Sequence, residues 1–246
     1  MFTLTMPPPN YTGRVTITGE DSFSFLNHIL SNDLGLLEKS SQIHACLLTP
    51  QGKYLHDVYI SKTEDSYILH CEGGDRAEDL ARRLSLYKLR ANIRITCFPH
   101  PPSLSLPLNF DDWDTWRIRH AQPNGSRDAE IGVSTLAELN LDQVAVSYTK
   151  GCYIGQELTA RMKHRGLVKK RLVPISAAGT IPEPGTIILK DGTDVGEIRS
   201  TCGRTGLALI KIDAFAVPSA IPLISADQEI TAHVPSWVKL PEAKLT

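Results

Sequence analysis

The chain has 246 residues, of which 41% are hydrophobic and 22% are charged, and its formal net charge is -1. These proportions are ordinary for a globular protein and exclude wholesale disorder, while the near-zero charge excludes a global basic field that would attract nucleic acid. The five cysteines include no C-x-x-C pair. We therefore expect neither a disulfide framework nor a zinc or iron–sulfur site made by this chain alone.

The start of the chain, MFTLTMPPPN, lacks the basic flank and apolar run of a secretory signal and the Arg-rich character of a transit peptide. No apolar run reaches the roughly 20 residues of a membrane helix, so no membrane association is expected. These features favour a protein of the reducing cytoplasm, or of the mitochondrial matrix if a transit peptide has been removed from a eukaryotic protein.

The first hundred residues predict strands interrupted by two amphipathic helices. One helix follows Asp21, which can cap it, and the other begins at Asp75, with its apolar residues on one stripe. Alternation of apolar side chains predicts the strands. They are expected at residues 14–18, 43–48, 55–60, 66–71 and 92–98. This order indicates an α+β unit with helices packed on an antiparallel or mixed sheet.

A Pro/Ser-rich connector is expected near residues 99–112, followed by a short strand at 115–120. Beyond Arg171 the pattern changes to six short β-like runs separated by Gly, Pro and Asp turns, with no helical periodicity. The turn Asp191–Asp194 predicts a hairpin. The sequence therefore predicts an α+β region over residues 1–170, with two interleaved subdomains, and a small barrel or sandwich over 171–246.

The most unusual segment is Lys150-Gly-Cys-Tyr-Ile-Gly-Gln-Glu157. It is typical of a glycine-punctuated loop that enters a helix, here over residues 156–165 with Gly166 as its stop. Gly151 and Gly155 permit backbone conformations closed to other residues and the close approach of a ligand. Glu157, Arg161 and Arg165 form one charged face of this helix, since they repeat every four residues.

Cys152 lies just ahead of that helix and two residues from Lys150, and both features favour the thiolate. The alternative is that Cys152 is simply a small buried residue.

A basic run from Arg161 to Arg171 could bind a polyanion, either RNA phosphates or the carboxylate tail of a folate, or could be a solvated charged face. The eight histidines show no metal-ligand spacing, so no metal site is expected. Asp57, on a strand, could face a ligand.

The K-G-C-Y-I-G-Q-E string resembles the signature of the YgfZ-like family, relatives of the glycine-cleavage T-protein. Further segments fit the same pattern: residues 14–20, 48–53, 87–90, 138–142, 160–162 and 165–166. The resemblance implies an α+β ring of subdomains closed by a C-terminal β-barrel, with tetrahydrofolate in a central channel. It also implies a role in the assembly or repair of iron–sulfur proteins, including those that thiolate tRNA, and a monomer.

The resemblance also suggests roles for the motif residues. Cys152 would be a redox- or ligand-responsive thiol near the channel, and Arg161 and Arg165 would pair with folate carboxylates. The residues expected to form the folate site are Lys150, Gly151, Tyr153, Gly155, Gln156, Glu157, Arg161 and Arg165.

Two positions depart from the family pattern. His56-Asp57 stands where T-proteins carry paired aspartates, which argues against glycine-cleavage chemistry. Ala121 replaces a glycine and could reshape the folate channel. The favoured function is a folate-binding accessory factor for iron–sulfur proteins rather than an enzyme. Two alternatives stay open at this point: a folate-dependent one-carbon transferase that uses Asp57, and a tRNA-binding module that uses the basic run.

Overall fold

A computed structural model describes residues 5–8, 12–100, 110–216 and 221–240. Its first part is a five-stranded sheet in the order β2-β3-β4-β1-β5, and every neighbouring pair is antiparallel. The strands are β1 (Thr12–Thr18), β2 (Ile43–Leu48), β3 (Tyr54–Lys62), β4 (Ser66–Glu72) and β5 (Arg94–Phe98). All five predicted strands are confirmed. Burial alternates along β1 and β4, as one buried face requires, whereas β2 is buried throughout.

Two helices accompany this sheet as predicted, α1 (Ser22–Ile29) and α2 (Asp75–Tyr87). The apolar stripe of α2, with Ala77, Leu80 and Leu84 all fully buried, packs into the core on one face of the sheet. Asp21 occupies the N-cap position of α1 but makes no side-chain bond to that helix. Its carboxylate instead accepts from the backbone N–H of Asn92 at 2.7 Å, so it ties the helix start to the segment before β5.

The strand predicted at residues 115–120 is wrong, because this segment belongs to helix α3 (Phe110–Arg119). Its buried side chains Trp113, Arg117 and Ile118 share one helical face. Acidic residues lie in its first turn and basic ones in its last, as the helix dipole favours. The helix covers the end of the predicted connector, of which residues 101–109 lie outside the described part of the chain.

The second part is a closed barrel of six strands in the order β10-β11-β6-β9-β8-β7. The strands are β6 (Lys170–Ala177), β7 (Ile187–Lys190), β8 (Thr193–Cys202), β9 (Thr205–Lys211), β10 (Leu223–Ser225) and β11 (Gln228–Ala232). The barrel alternative is therefore confirmed over the sandwich.

Asp191 and Gly192, with φ of 50° and 68°, form the β7–β8 turn, as a type I′ hairpin requires. The expectation of no helix here is wrong, since Ile212–Phe215 forms the short helix α5. The division at residue 170 stays a prediction.

Helix α4 (Gln156–Arg165) precedes the barrel and ends at Gly166, which has a φ of 60°. The predicted helix and its glycine stop are confirmed, because a left-handed residue at this position suits glycine. In the described part of the chain, three short 3₁₀ turns accompany these helices and strands, at Leu34–Glu38, Gly125–Arg127 and Leu141–Gln143.

His56 is a buried histidine on β3 that faces α2. Its Nε2 lies 2.9 Å from Asp79 Oδ2, and its Nδ1 lies 3.1 Å from Arg76 Nη2. Burial, together with the Arg76 charge, lowers the pKa of His56 from 6.5 to about 4. Because an arginine can only donate, Nδ1 accepts and Nε2 donates to Asp79, so the ring is held neutral.

We expect His56 to make the protein less stable as the pH falls from 6.5 to 4. The unfolded chain takes up a proton at His56 in this window and the folded chain does not, so about 3 kcal/mol of stability is lost across it. Urea unfolding at a series of pH values measures this slope. It should flatten in His56→Gln and stay unchanged in His164→Gln, which alters an exposed histidine. An unaltered slope in His56→Gln would contradict the assignment.

Candidate functional site

The motif loop that begins at Lys150 is anchored to the end of α1. The Lys150 ammonium donates to three backbone carbonyls, those of Asn27 and Leu30 at 2.6 Å and that of Asn32 at 2.8 Å. It also lies 5.0 Å from the centre of the Tyr153 ring. A cation at the C-terminal end of a helix is favourable because unpaired carbonyls concentrate there. Burial lowers the pKa of Lys150 to about 8. The side chain therefore holds the loop in place.

The two glycines of the motif differ in what they do. Gly155 has a φ of 80°, and a Cβ added to it would lie 2.5 Å from the backbone oxygen of Thr49. Gly52 lies with Thr49 on the turn between β2 and β3, and a Cβ added to Gly52 would lie 2.6 Å from Leu158 Cβ. The loop and the β2–β3 turn therefore touch backbone to backbone, which only glycine permits. Gly151 has no positive φ, and an added Cβ would meet nothing within 4 Å. The expected unusual backbone holds for Gly155 and not for Gly151.

Cys152 is exposed on this loop, between Lys150 and the start of α4. Of the other cysteines, Cys46 and Cys71 are buried and Cys97 and Cys202 are partly exposed. The alternative of a small buried residue is therefore wrong for Cys152. The next residue, Tyr153, turns inward, and burial raises the pKa of its phenol to about 12. The chain thus presents one exposed thiol beside an inward-packed tyrosine.

The charged face of α4 points to solvent. Arg161 pairs with Glu157, whose side chain is 83% exposed, and Arg165 is exposed as well. Within the described ranges, no hydrogen bond joins these side chains or Gln156 to Asp57. The basic run is shorter at the surface than the sequence indicates, because Arg171 is only 4% exposed and donates to Asp142 Oδ1 at 2.7 Å.

Asp57 lies in a second group of polar residues on the face of the sheet that points away from α2. Its carboxylate accepts from His44 Nε2 at 2.9 Å and from the Tyr54 hydroxyl at 2.5 Å. Burial by itself would raise the pKa of Asp57, but these hydrogen bonds and the His44 charge hold it below its ordinary value. The carboxylate is therefore ionised and already bound by two neighbours.

A β-bulge brings Tyr54 to this face. Leu47 pairs with His56 but Leu48 pairs with Tyr54, so Leu55 is an extra residue on β3. An extra residue shifts the alternation by one position and redirects the side chains that follow. Tyr54 and Asp57 consequently point the same way, although residues three positions apart on a regular strand face opposite sides of the sheet.

Two further residues, Tyr59 and Gln122, complete this group. The rings of His44 and Tyr59 stack with centroids 4.3 Å apart, and Gln122 Nε2 donates to the Tyr59 hydroxyl at 3.1 Å. Gln122 is fully buried and also bonds both backbone groups of Thr5. We call His44, Tyr54, Asp57, Tyr59 and Gln122 the polar centre.

Sequence reasoning singled out only Asp57 from the polar centre. A signal was present, because His44 and Cys46 on β2, and Asp57 and Tyr59 on β3, alternate with apolar residues. Two strands with polar residues in the same phase indicate a polar face. The cross-strand pairs His44–Tyr59 and Cys46–Asp57 put these four side chains together.

Two cavities bear on ligand binding. A narrow one of about 10 Å³ lies beneath α4, bordered by Tyr148, Leu158 and Met162, a volume that corresponds to about one water molecule. An open cleft of about 570 Å³ lies where the end of α2 meets the start of β5, bordered by Lys88 and Arg94. Neither borders Asp57. The polar centre does contain a buried atom without a partner, His44 Nδ1, which is a free position for a polar ligand atom.

Among the described residues, no set of three or more His, Cys, Asp or Glu side chains is placed to hold a metal ion. No described helix combines the length and apolar composition that crossing a bilayer demands.

Comparison with known folds agrees with this architecture. The crystal structure of glycine cleavage system aminomethyltransferase T from Bartonella henselae superposes with a TM-score of 0.74. The match covers 94% of this chain and 85% of that one at 12% sequence identity, and so it shows the fold alone. The predicted fold class, an α+β T-protein-like body with a C-terminal β-barrel, is confirmed. Residues 169–240 match the family described as the CAF17 C-terminal beta-barrel domain.

Sequence comparison gives the family. The human protein named iron-sulfur cluster assembly factor IBA57, mitochondrial, is 40% identical in an alignment of 258 positions, gaps included, which covers 79% of this chain and 72% of the human one. The homologue of the same name from Mycosarcoma maydis is 27% identical in an alignment of 237 positions, which covers 72% of this chain and 58% of the fungal protein. The chain therefore belongs to the IBA57 family, within the YgfZ-like group that its Lys150–Glu157 motif predicts.

Proposed function

We propose that this protein is an accessory factor for the assembly or repair of iron–sulfur proteins, with enzymes that modify tRNA among its clients, and that it is not itself an enzyme. The observation that carries the proposal is the alignment with a human iron-sulfur cluster assembly factor over 79% of this chain. The mitochondrial location of the human and fungal relatives supports the matrix over the cytoplasm.

In this proposal Cys152 is the group that meets the client or the assembly partner. Iron–sulfur clusters are held by several thiolates, and only one of the five cysteines, Cys152, is exposed. A partner must therefore supply the other ligands. The Lys150 anchor supports this role, because it fixes the loop that carries the thiol while leaving the thiol itself outside.

We further propose that a reduced folate is the small-molecule ligand and that its polar ring meets the polar centre. The Asp57 carboxylate and the unpartnered His44 Nδ1 suit a ring with hydrogen-bonding edges. Arg161 and Arg165 stay proposed partners of the folate carboxylates. The other residues assigned to this site stay predictions: Lys150, Gly151, Tyr153, Gly155, Gln156 and Glu157.

Neither alternative function is favoured by an observation. A one-carbon transferase would need Asp57 free to move a proton, and the carboxylate is bound by His44 and Tyr54. A tRNA-binding surface would use the whole basic run, and Arg171 is buried. The monomeric state stays a prediction.

Replacing Cys152 by serine is expected to abolish the support that this protein gives to iron–sulfur enzymes. The measurement is the activity of those enzymes in cells whose only copy of the gene carries the change. Cys202→Ser is the matched control, because Cys202 is only partly exposed and lies on the barrel. Full activity with Cys152→Ser would exclude the proposed role of the thiol.

Calorimetric titration of the purified protein with tetrahydrofolate tests the second part of the proposal. Saturable binding at micromolar affinity or tighter is expected, and Asp57→Asn should weaken it by at least about tenfold, since a charged hydrogen-bond partner is lost. Cys152→Ala should bind as the wild type does if the thiol and the folate act at separate places. Absence of binding in every variant would exclude folate as the ligand.

A further inference from the structure

The backbone N–H and carbonyl of Thr5 bond to the polar centre and to Trp113. The N–H donates to Gln122 Oε1 at 2.8 Å, and the carbonyl accepts from Gln122 Nε2 at 2.6 Å. The same carbonyl accepts from Trp113 Nε1 at 3.2 Å and from the Tyr59 hydroxyl at 3.3 Å. Three donors therefore converge on one oxygen, beside one acceptor that takes the neighbouring N–H.

This arrangement binds the two backbone groups of one residue and not its side chain. Gln122 is fully buried, so its amide needs two-way pairing to offset its lost hydration. The Thr5 side chain takes part in none of these bonds, and the residue is exposed. Any group with an N–H beside a C=O, such as the lactam edge of a heterocycle, presents the same pattern to Gln122, Trp113 and Tyr59.

The neighbouring residue fixes the segment in a second way. Met6 packs against the apolar cluster that contains Cys46, Tyr54 and Tyr59. Tyr59 in turn stacks on His44, which binds Asp57. Thr5 and Met6 therefore adjoin Tyr59, whose stacking partner His44 binds the Asp57 carboxylate, and the segment is held there by the Thr5 backbone groups and one packed side chain.

We propose that residues 5–8 form a strap that closes the polar centre, and that a lactam-bearing ligand reaches Asp57 only when this strap leaves. The proposal rests on the folate site proposed above and adds its regulation. Displacement frees the Gln122 amide and the Trp113 and Tyr59 donors, and the lactam edge of the ligand takes the places of the Thr5 N–H and carbonyl. The strap and the ligand are thus competitors for one set of hydrogen bonds.

Thr5→Pro tests the strap, because proline lacks the N–H that Gln122 Oε1 accepts. Thr5→Ala is the matched control, since it keeps both backbone groups. The readout is solvent exchange of the Trp113 indole N–H, followed by NMR. The Trp237 indole, which donates to the His120 carbonyl at 2.9 Å, serves as an internal reference. Exchange at Trp113 is expected to be about tenfold faster in Thr5→Pro and unchanged in Thr5→Ala.

Titration of the same variants with 5-formyltetrahydrofolate gives the second readout. Affinity should rise in Thr5→Pro by up to the same factor, because a larger fraction of the protein is open. Faster exchange without folate binding in any variant would support the strap and overturn folate as its competitor. Unchanged Trp113 exchange in Thr5→Pro, or faster exchange with unaltered folate affinity, would overturn the strap.

Discussion

Replacing Arg117 by methionine is expected to lower the free energy of unfolding by about 3–5 kcal/mol, the typical cost of breaking a buried ion pair. Arg117 is fully buried on α3. Its Nε donates to Asp114 Oδ1 at 2.5 Å and its Nη1 to Asp128 Oδ2 at 2.6 Å, while Nη2 donates to Ser200 Oγ at 2.9 Å. Ser200 lies on β8 and itself donates to Asp128. One guanidinium thus joins the first part of the chain to the barrel.

The expected loss is large because methionine fills the volume but leaves the buried Asp128 charge uncompensated. Urea unfolding followed by circular dichroism measures it. Arg127→Met is the matched control, since Arg127 also donates to Asp114, at 2.7 Å, but is 38% exposed. A change below about 1 kcal/mol is expected there. Adding Asp128→Asn to Arg117→Met should restore part of the stability. A loss for Arg117→Met as small as the control's would contradict this account.

Replacing Lys150 by methionine is expected to lower the free energy of unfolding by about 2–3 kcal/mol and to release the motif loop. The change removes the charged group that donates to three backbone carbonyls at the end of α1, and these carbonyls lose that hydrogen bond. Lys150→Arg is not expected to restore the anchor, because three carbonyls around one nitrogen suit a compact ammonium and not a planar fork. Hydrogen exchange of residues 150–155 is expected to increase in both variants.

Lys163→Met is the control for the anchor, because Lys163 is exposed and its Nζ only approaches the Tyr148 ring, at 4.5 Å. An exposed cation–π contact contributes about 0.5–1 kcal/mol at most. The Lys150 variants should also fail to support iron–sulfur enzymes in cells, since Cys152 loses its fixed position. Stability and loop protection equal to those of Lys163→Met would show that Lys150 is not an anchor.

The His56-Asp57 pair illustrates how one strand separates two roles. Consecutive residues on a strand face opposite sides of the sheet. His56 consequently packs under α2 with Asp79, while Asp57 faces the polar centre. In the T-protein pattern an aspartate stands at the position of residue 56. Its carboxylate would lie on the face of the sheet that packs against α2. The histidine, held neutral, is accommodated there by Asp79 and Arg76.

The sequence by itself determined the local elements wherever one periodicity prevailed. Alternation predicts β1–β5, the stripe of α2 predicts its helix, and the glycine stop predicts the end of α4, because each pattern depends on neighbours in the chain. It misled at residues 115–120. There the polar residues Asp114 and Arg117 lie on the buried face of α3 and are paired inside the protein, so the apolar periodicity of a buried helix is broken.

Only the tertiary structure decided what the motif residues contact. Lys150 bonds to carbonyls more than 110 residues away in the chain, and Thr5 bonds to Gln122 over 117 residues. Such bonds depend on how sheet, helices and barrel pack together, and no local pattern encodes that distance. The motif string predicts the family because it is long and specific. Burial and pairing arise only when the chain is folded. They make Lys150 an anchor, Cys152 an exposed thiol and Asp57 a part of the polar centre.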